Sequence, residues 1–90
     1  MRFKMFSIRD TKAEVYHPPF FKGTHGEAER AFMELARDEK SQIAKYPEDF
    51  DLFYVGDYDD ETGKIDPQVT PQHIIKAVNT LRNSGLNAVQ

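Results

Sequence analysis

Acidic side chains crowd residues 57–61, and carboxylates are the oxygen ligands that Ca²⁺ takes from proteins. An EF-hand loop needs oxygen ligands at positions 1, 3, 5 and 12 and glycine at position 6. Counted from Asp57, position 6 is Thr62 and position 12 is Gln68, so the match fails where that loop is most demanding. The pattern therefore predicts a solvated hairpin turn and no metal site, with a weak adventitious cation site as the alternative.

The histidines and serines also lack the spacing that catalytic or metal chemistry needs. His17, His25 and His73 include no i, i+4 pair of the kind that holds zinc on a helix. No serine lies in a nucleophile elbow, the sequence has no glycine-rich phosphate loop, and it has no cysteine. We therefore expect no enzymatic activity, no cofactor and no metal ligands.

Aromatic and basic residues are interleaved in the first 25 residues, a combination typical of single-stranded nucleic-acid binding. In such sites bases stack on rings while cations follow the phosphates. The plainer alternative is that most of the rings belong to the core and that the lysines are ordinary surface residues. The candidate nucleic-acid contacts are Arg2, Lys4, Arg9, Lys12, Tyr16, Phe20 and Lys22.

Charge is distributed unevenly along the 90 residues, whose formal net charge is -3. Residues 1–25 carry five bases and two acids, whereas residues 46–70 carry eight acids and one base. A net negative domain is a poor sequence-independent DNA binder, because such binding rests on neutralising phosphates. The two basic ends of the chain could still form one surface if they meet in space. If the chain instead binds a protein partner, its acidic segment would be the contact surface. The candidate protein contacts are Asp57, Asp59, Asp60 and Glu61.

The first half of the chain predicts two strands followed by a helix. Residues 3–9 are rich in aromatic and β-branched types, and residues 13–17 are predicted to form the returning strand. Pro18 and Pro19 end that strand, because neither can donate to a sheet ladder, and they confine this segment to a sheet edge or a loop. A capping box then opens a helix over residues 24–45, along which apolar residues recur at helical spacing.

The second half predicts two more strands and a second helix. Residues 50–58 form a strand whose two faces are both apolar near the middle, which indicates a central strand or one with a partner on its second face. A hairpin loop at 59–63 leads to a short return strand at 64–66. The last helix is predicted to begin at Thr70, its N-cap, and to end at Gly85.

This order of elements, ββαββα, predicts an α+β fold in which two helices cover one face of an antiparallel sheet of about four strands. We place a single domain at residues 1–86 and a frayed tail at 87–90. Such a sheet has exposed edges and one bare face, so we expect a homo-oligomer. No apolar run suggests a signal peptide or a membrane span, so we expect a soluble, intracellular protein that contacts no membrane.

Three blocks of sequence carry a family resemblance. They are FKMFSI at residues 3–8, YHPPFF at 16–21, and PEDF at 47–50 running on to GDYDDETG at 56–63. In this order they resemble the small non-structural protein of gokushoviruses, which are tailless microviruses with circular single-stranded DNA genomes that infect bacteria. The similarity extends over about residues 1–80.

The resemblance implies a protein made in the host bacterial cytoplasm and absent from the virion. The family is described as DNA-binding or replication-associated and is likened to the microvirus factor that shifts synthesis from double-stranded replicative DNA to packaged single strands. It implies no catalytic residues.

Two mechanisms remain open, and there is a third alternative. The protein either binds single-stranded DNA directly and favours single-strand synthesis, or acts as an acidic adaptor. The adaptor would engage the viral replication initiator, a host replication factor or the procapsid. The third alternative is a purely structural, self-assembling module.

Overall fold

Five antiparallel strands and a set of helices make up the computed structural model, which describes residues 1–81. The strands are β1 (Arg2–Asp10), β2 (Val15–Tyr16), β3 (Phe20–Lys22), β4 (Phe50–Asp59) and β5 (Ile65–Lys76). The helices are α1 (His25–Arg37) and α2 (Gln42–Lys45), and residues 77–81 are also helical. The predicted mixture of helices with an antiparallel sheet is confirmed, although the strand number and the order of elements differ.

The two long strands β1 and β4 lie at the centre of the sheet, whose order is β2-β1-β4-β5. They pair along their whole length, from Arg2 opposite Asp59 to Asp10 opposite Phe50. Two short strands pair with the side of β1 that faces away from β4. β2 pairs with the end of β1, and β3 pairs with its first half. The prediction that residues 50–58 form a central strand is therefore confirmed.

The register divides the strand residues between two faces, because paired residues of antiparallel strands lie on the same side of a sheet. The covered face packs against the helices, and its central residues are Phe6, Ile8, Phe50, Leu52 and Tyr54. On it lie Ala28, Phe32 and Ala36 of α1 and Ile43 of α2. The open face carries the alternate residues, among them Ser7, Arg9, Asp51 and Phe53.

Burial is concentrated on the covered face. Phe6, Phe32 and Leu52 are fully buried there, and Phe20, Ile74 and Ile75 pack against this core from its edges. Each such apolar side chain contributes about 1.5–3 kcal/mol through its removal from water. The covered face is therefore the main source of hydrophobic stabilisation.

The predicted returning strand over residues 13–17 is wrong in extent. Two short strands, of two and three residues, lie on either side of Pro18 and Pro19. The His17 N–H still donates to the Ile8 carbonyl at 2.8 Å. Because the two prolines that follow lack N–H groups, pairing with β1 is interrupted there and resumes at Phe20. The edge position expected for this segment is confirmed, but the strand β3 was missed.

The long helix predicted over residues 24–45 is interrupted at residues 38–41. The Asp38 carboxylate accepts the N–H of Lys40 at 3.0 Å, a local bond that competes with helical pairing. Ser41 then caps α2, since its hydroxyl accepts the N–H of Ala44 at 3.1 Å. The predicted capping box is confirmed at its first bond, from the N–H of Glu27 to Thr24 Oγ1 at 3.1 Å.

The last helix is confirmed only in part: its predicted start at Thr70 is wrong, because residues 65–76 form β5 and the helical residues start at Ala77. β5 is an edge strand, and none of the described strands pairs with its outer side, so Pro67 and Pro71 cost it little. The predicted helix end at Gly85 and the frayed tail lie outside the described residues. None of the described helices is long and apolar enough to span a membrane.

Candidate nucleic-acid interface

Three aromatic rings lie side by side across the open face. Tyr16 of β2, Phe53 of β4 and His73 of β5 form this ring row. The ring centroids of Tyr16 and Phe53 are 5.4 Å apart with a 71° angle between planes. Those of Phe53 and His73 are 5.3 Å apart at 81°. The row therefore crosses the sheet and presents ring faces and edges in alternation.

Both ends of the ring row are open to solvent. Tyr16 is 45% exposed, and the His73 side chain is 51% exposed. Phe53 lies between them and is half-buried. Since rings in a folded core are normally fully covered, these surfaces are available to a ligand that stacks on aromatic groups.

Two cations flank the ring row. The Arg9 guanidinium lies 5.6 Å from the centroid of the Tyr16 ring, within the range of a cation–π contact. Lys76 lies at the other side of the row, where its Nζ donates to the Glu48 carbonyl at 3.0 Å. The two cations belong to one cross-strand register, in which Arg9 pairs with Asp51 and Asp51 pairs with Lys76.

The buried carboxylate of Asp51 positions the side chains of His73 and Lys76. Asp51 is 5% exposed, and its Oδ1 lies 2.8 Å from Nε2 of His73. Its Oδ2 accepts from Nζ of Lys76 at 3.4 Å. The paired strand residues of the open face therefore include two cations, Arg9 and Lys76, and one carboxylate, that of Asp51. This carboxylate already contacts His73 and Lys76.

A groove adjoins the ring row on the same face. Its volume is about 220 Å³, and it is lined by Ser7, Tyr16, His17, Pro19, Val55 and Pro71. The Ser7 hydroxyl is buried and donates to the His17 carbonyl at 2.7 Å. Most of the remaining lining is apolar, so the groove favours a flat or apolar group over a charged one.

The structure separates the seven predicted nucleic-acid contacts. Only Arg9 and Tyr16 belong to the ring row and its flanking cations. Phe20 packs in the core, 5.9 Å from the ring of Phe6. Lys12 lies in the turn after β1, beside a different cavity of about 440 Å³ that Tyr46 also lines.

The other predicted cations belong to the far end of the sheet. Lys4 and Lys22 are register partners there, and Lys4 Nζ lies 5.3 Å from the centroid of the Tyr54 ring. Arg2 donates to the carboxylates of Asp57 and Asp66 at 3.2 and 2.9 Å. These contacts hold Arg2 and Lys4 on the side of the covered face, away from the ring row.

Sequence reasoning missed three members of the site. Phe53 had a signal, because it lies on the second apolar face of the strand at 50–58. His73 and Lys76 had none, since both were assigned to a helix that is in fact the edge strand β5. Their placement depends on the pairing between β4 and β5, which no local pattern specifies.

The acidic residues predicted as protein contacts are partly satisfied within the chain. Asp57 accepts the Tyr54 hydroxyl at 2.5 Å, in addition to the guanidinium of Arg2. The Tyr54 bond, together with Arg2, holds the pKa of the Asp57 carboxyl below its usual value. Burial and the bond to Asp57 raise the pKa of the Tyr54 hydroxyl. Asp57 is therefore a structural residue of the sheet.

The hairpin beyond Asp57 is more exposed. Asp59 accepts the N–H of Glu61 at 2.9 Å, and this bond holds the pKa of the Asp59 carboxyl below its usual value. Asp60 lies 2.7 Å from the amino group of Met1, while the Glu61 side chain is exposed. In the part of the chain that the structure describes, no group of three or more His, Asp or Glu side chains is placed to hold a metal ion.

Comparison with known proteins returns two related matches. A family model described as Phage ORF5 protein matches residues 3–80. The curated Protein ORF5 of Chlamydia phage 1 is 36% identical over 66 residues, which cover 69% of each chain. No solved structure matches significantly. The family match covers β2 to β5 and all of β1 except Arg2, and it reaches into the helical residues after β5.

Proposed function

The chain belongs to the Phage ORF5 protein family, and we propose that it is a phage accessory protein that binds single-stranded DNA through the open face of its sheet. It acts in genome replication or packaging, favours single-strand synthesis in the host bacterial cytoplasm, and is absent from the virion. The observation that carries this proposal is the ring row of Tyr16, Phe53 and His73 with Arg9 beside it.

Stacking on the ring row supplies most of the expected affinity. Each base stacked on an aromatic side chain contributes about 1–3 kcal/mol in single-strand-binding proteins. Stacking is available only to bases whose faces are free, and in a duplex those faces are covered by neighbouring base pairs. The site therefore favours single strands over duplexes.

The net charge of -3 is compatible with this mode of binding. Arg9 can neutralise about one phosphate, whereas Lys76 is already held by the Asp51 carboxylate and the Glu48 carbonyl. This predicts a slope of about -0.7 in log affinity against log salt for a single strand. Such a slope is small for a DNA-binding protein. Binding that rests on stacking needs little net positive charge.

The acidic hairpin is too far from the ring row to oppose this binding strongly. Asp59 lies six residues beyond Phe53 along β4, a span of about 20 Å at roughly 3.3 Å per residue. The Debye length at physiological ionic strength is about 8 Å, so repulsion from exposed carboxylates at that distance is largely screened. The two ends of β4 can therefore have different partners.

Fluorescence anisotropy with a labelled oligothymidylate tests the proposal. We expect Tyr16→Ala to weaken binding by about 5- to 150-fold, the range that the loss of one stacked base implies. Tyr46→Ala is the matched control, because Tyr46 is 57% exposed but lies at the end of α2, outside the sheet. Absence of binding at low salt, or equal losses in the two variants, would overturn the proposal.

A second candidate function is the acidic adaptor, which the exposed carboxylate of Glu61 and the neighbouring rings favour. Phe21 is half-exposed and lies 5.5 Å from the ring of Tyr58, so an apolar surface adjoins the acidic hairpin. The partner would be the viral replication initiator, a host replication factor or the procapsid. Binding of purified viral initiator that is lost in Glu61→Gln, with no binding of single-stranded DNA, would favour this function.

We also propose that the protein forms a homo-oligomer, since the described helices leave the open face uncovered. Light scattering over a range of concentrations measures its mass. A monomer at high concentration would contradict the oligomer. An oligomer that binds neither DNA nor the initiator would indicate a structural, self-assembling module.

A further inference from the structure

The groove beside the ring row is continuous with the proposed DNA site. Tyr16 belongs to both, since its ring is a member of the row and also lines the groove. Ser7, at the buried base of the groove, is the register partner of Phe53. A strand of DNA stacked on the ring row would therefore pass directly over the groove.

Irregular pairing on both sides of Val55 forms the groove. The register between β1 and β4 shifts next to Met5, which leaves Val55 without a partner on β1. The register between β4 and β5 shifts at the same place, and residues 68–71 bulge out of the ladder. Pro71 in this bulge lines the groove together with Pro19, which lies between β2 and β3. The cavity is thus a defined feature of the sheet.

The size and lining of the groove limit what can enter it. Its volume of about 220 Å³ lies below the roughly 300–1,000 Å³ of pockets that hold drug-sized ligands. It can therefore accept one small ring and not a whole nucleotide. Val55 and the two prolines provide apolar contact of the kind that proteins make with the thymine methyl group.

We propose that the groove takes one unstacked pyrimidine base, preferably thymine, from the strand bound on the ring row; this rests on the proposed binding of single-stranded DNA. Arg9 favours a nucleic-acid occupant over an apolar peptide, because its guanidinium stacks on Tyr16 at the edge of the groove and can meet the phosphate of the inserted nucleotide. A purine base is larger and is admitted less readily.

A comparison of homopolymers tests this proposal. We expect wild type to bind oligothymidylate about tenfold more tightly than oligodeoxyadenylate of equal length, a ratio within the range of one base contact. Val55→Phe fills the groove and should reduce this ratio to near one. Val69→Phe is the matched control, because Val69 is fully exposed on the same bulge and does not line the groove.

A second variant keeps the test decisive if Val55→Phe fails to fold. Pro71→Ala widens the groove from the opposite wall, so it should admit a purine and raise the affinity for oligodeoxyadenylate. Circular dichroism and thermal unfolding show whether each variant is folded. A folded Pro71→Ala protein with the wild-type ratio would overturn the proposal.

The outcomes separate this inference from the function on which it rests. If wild type binds both homopolymers equally and Tyr16→Ala weakens both, the groove proposal fails and DNA binding stands. If wild type binds neither, both fail. If Val55→Phe leaves oligothymidylate binding unchanged but alters the mass in light scattering, the groove takes a side chain of a second copy, and the proposal is overturned.

Discussion

The two faces of the sheet come from the same strands but hold their aromatic residues in opposite ways. On the covered face Phe6 is fully buried and packs among Tyr54, Phe20 and the residues of α1. On the open face the rings of Tyr16 and His73 keep about half of their surface in solvent. Ring chemistry is similar on both faces, so the side of the sheet decides whether a ring stabilises the fold or can meet a ligand.

The cations differ between the faces in the same way. Arg2 on the covered side already donates to two carboxylates, and Lys4 lies against the Tyr54 ring. On the open face Arg9 is placed over the exposed Tyr16 ring. A basic residue near the start of this chain is therefore a candidate for DNA contact only when the register puts it on the open face.

The largest expected effect on stability comes from removing a buried ring from the covered face. Phe32→Ala removes a fully buried ring and should lower the free energy of unfolding by about 3–5 kcal/mol. Tyr16→Ala on the open face should lower it by only about 0.5–1.5 kcal/mol, the range of an aromatic pair. Urea denaturation measures both changes. Equal losses would contradict the division of roles between the faces.

The next effect concerns Gly56 of β4, which packs closely against the backbone of β5. A Cβ there would lie 2.6 Å from the Asp66 carbonyl oxygen and 2.9 Å from Cα of Pro67, both backbone atoms. Gly56→Ala should therefore lower the free energy of unfolding by about 1–3 kcal/mol, as overpacking does.

Gly63→Ala sharpens that comparison. Its Cβ would meet no atom of residues 1–81 within 4 Å, but its φ of +73° lies in the left-handed region. The expected loss is about 1 kcal/mol, from backbone conformation alone. Thermal unfolding of the two variants compares them. A loss at Gly56 no larger than that at Gly63 would show that β5 can move away from β4.

A smaller, pH-dependent effect is expected from the covered side of the sheet. Tyr54→Phe removes the hydrogen bond to Asp57 and should lower the free energy of unfolding at neutral pH by about 1 kcal/mol. Because the folded pKa of Asp57 is below the ordinary value of 3.8, this stabilisation is present above that value. It is lost as pH falls through the folded pKa.

Urea unfolding at neutral and at acidic pH checks this prediction. The difference between wild type and Tyr54→Phe should shrink as the pH falls below 3.8. Asp57→Asn should lose most of the same pH dependence. A constant difference at all pH values would mean that the Tyr54 hydroxyl acts through packing and not through the carboxylate.

The smallest effect tests the cations of the two faces. Arg9→Gln removes one phosphate contact and should reduce the slope of log affinity against log salt by about 0.7. Lys4→Gln, on the covered side, should leave the slope unchanged. Anisotropy titrations between about 50 and 200 mM salt measure both slopes. A larger change in slope for Lys4→Gln than for Arg9→Gln would indicate that DNA binds at the other end of the sheet.

Local patterns predicted what depends on local physics. The Thr24 capping box, the central strand at 50–58 and the edge position of the segment with Pro18 and Pro19 each rest on backbone chemistry within a few residues. The Thr70-Pro71 pair shows the limit of such patterns. It matches a helix start, but Thr70 and Pro71 lie in a bulge of β5 between Pro67 and Gln72, which both pair with β4. Tertiary contacts on either side of the pair therefore override its local preference.

The sequence by itself determined the antiparallel α+β class, the absence of catalytic motifs, the uneven charge and the family. Only the tertiary structure decided which rings and cations share a surface. Tyr16, Phe53 and His73 are far apart in the chain and meet because three strand pairings place them on one face. A shift of one residue in any of these registers would move a ring to the other face, and such registers are set by contacts between strands.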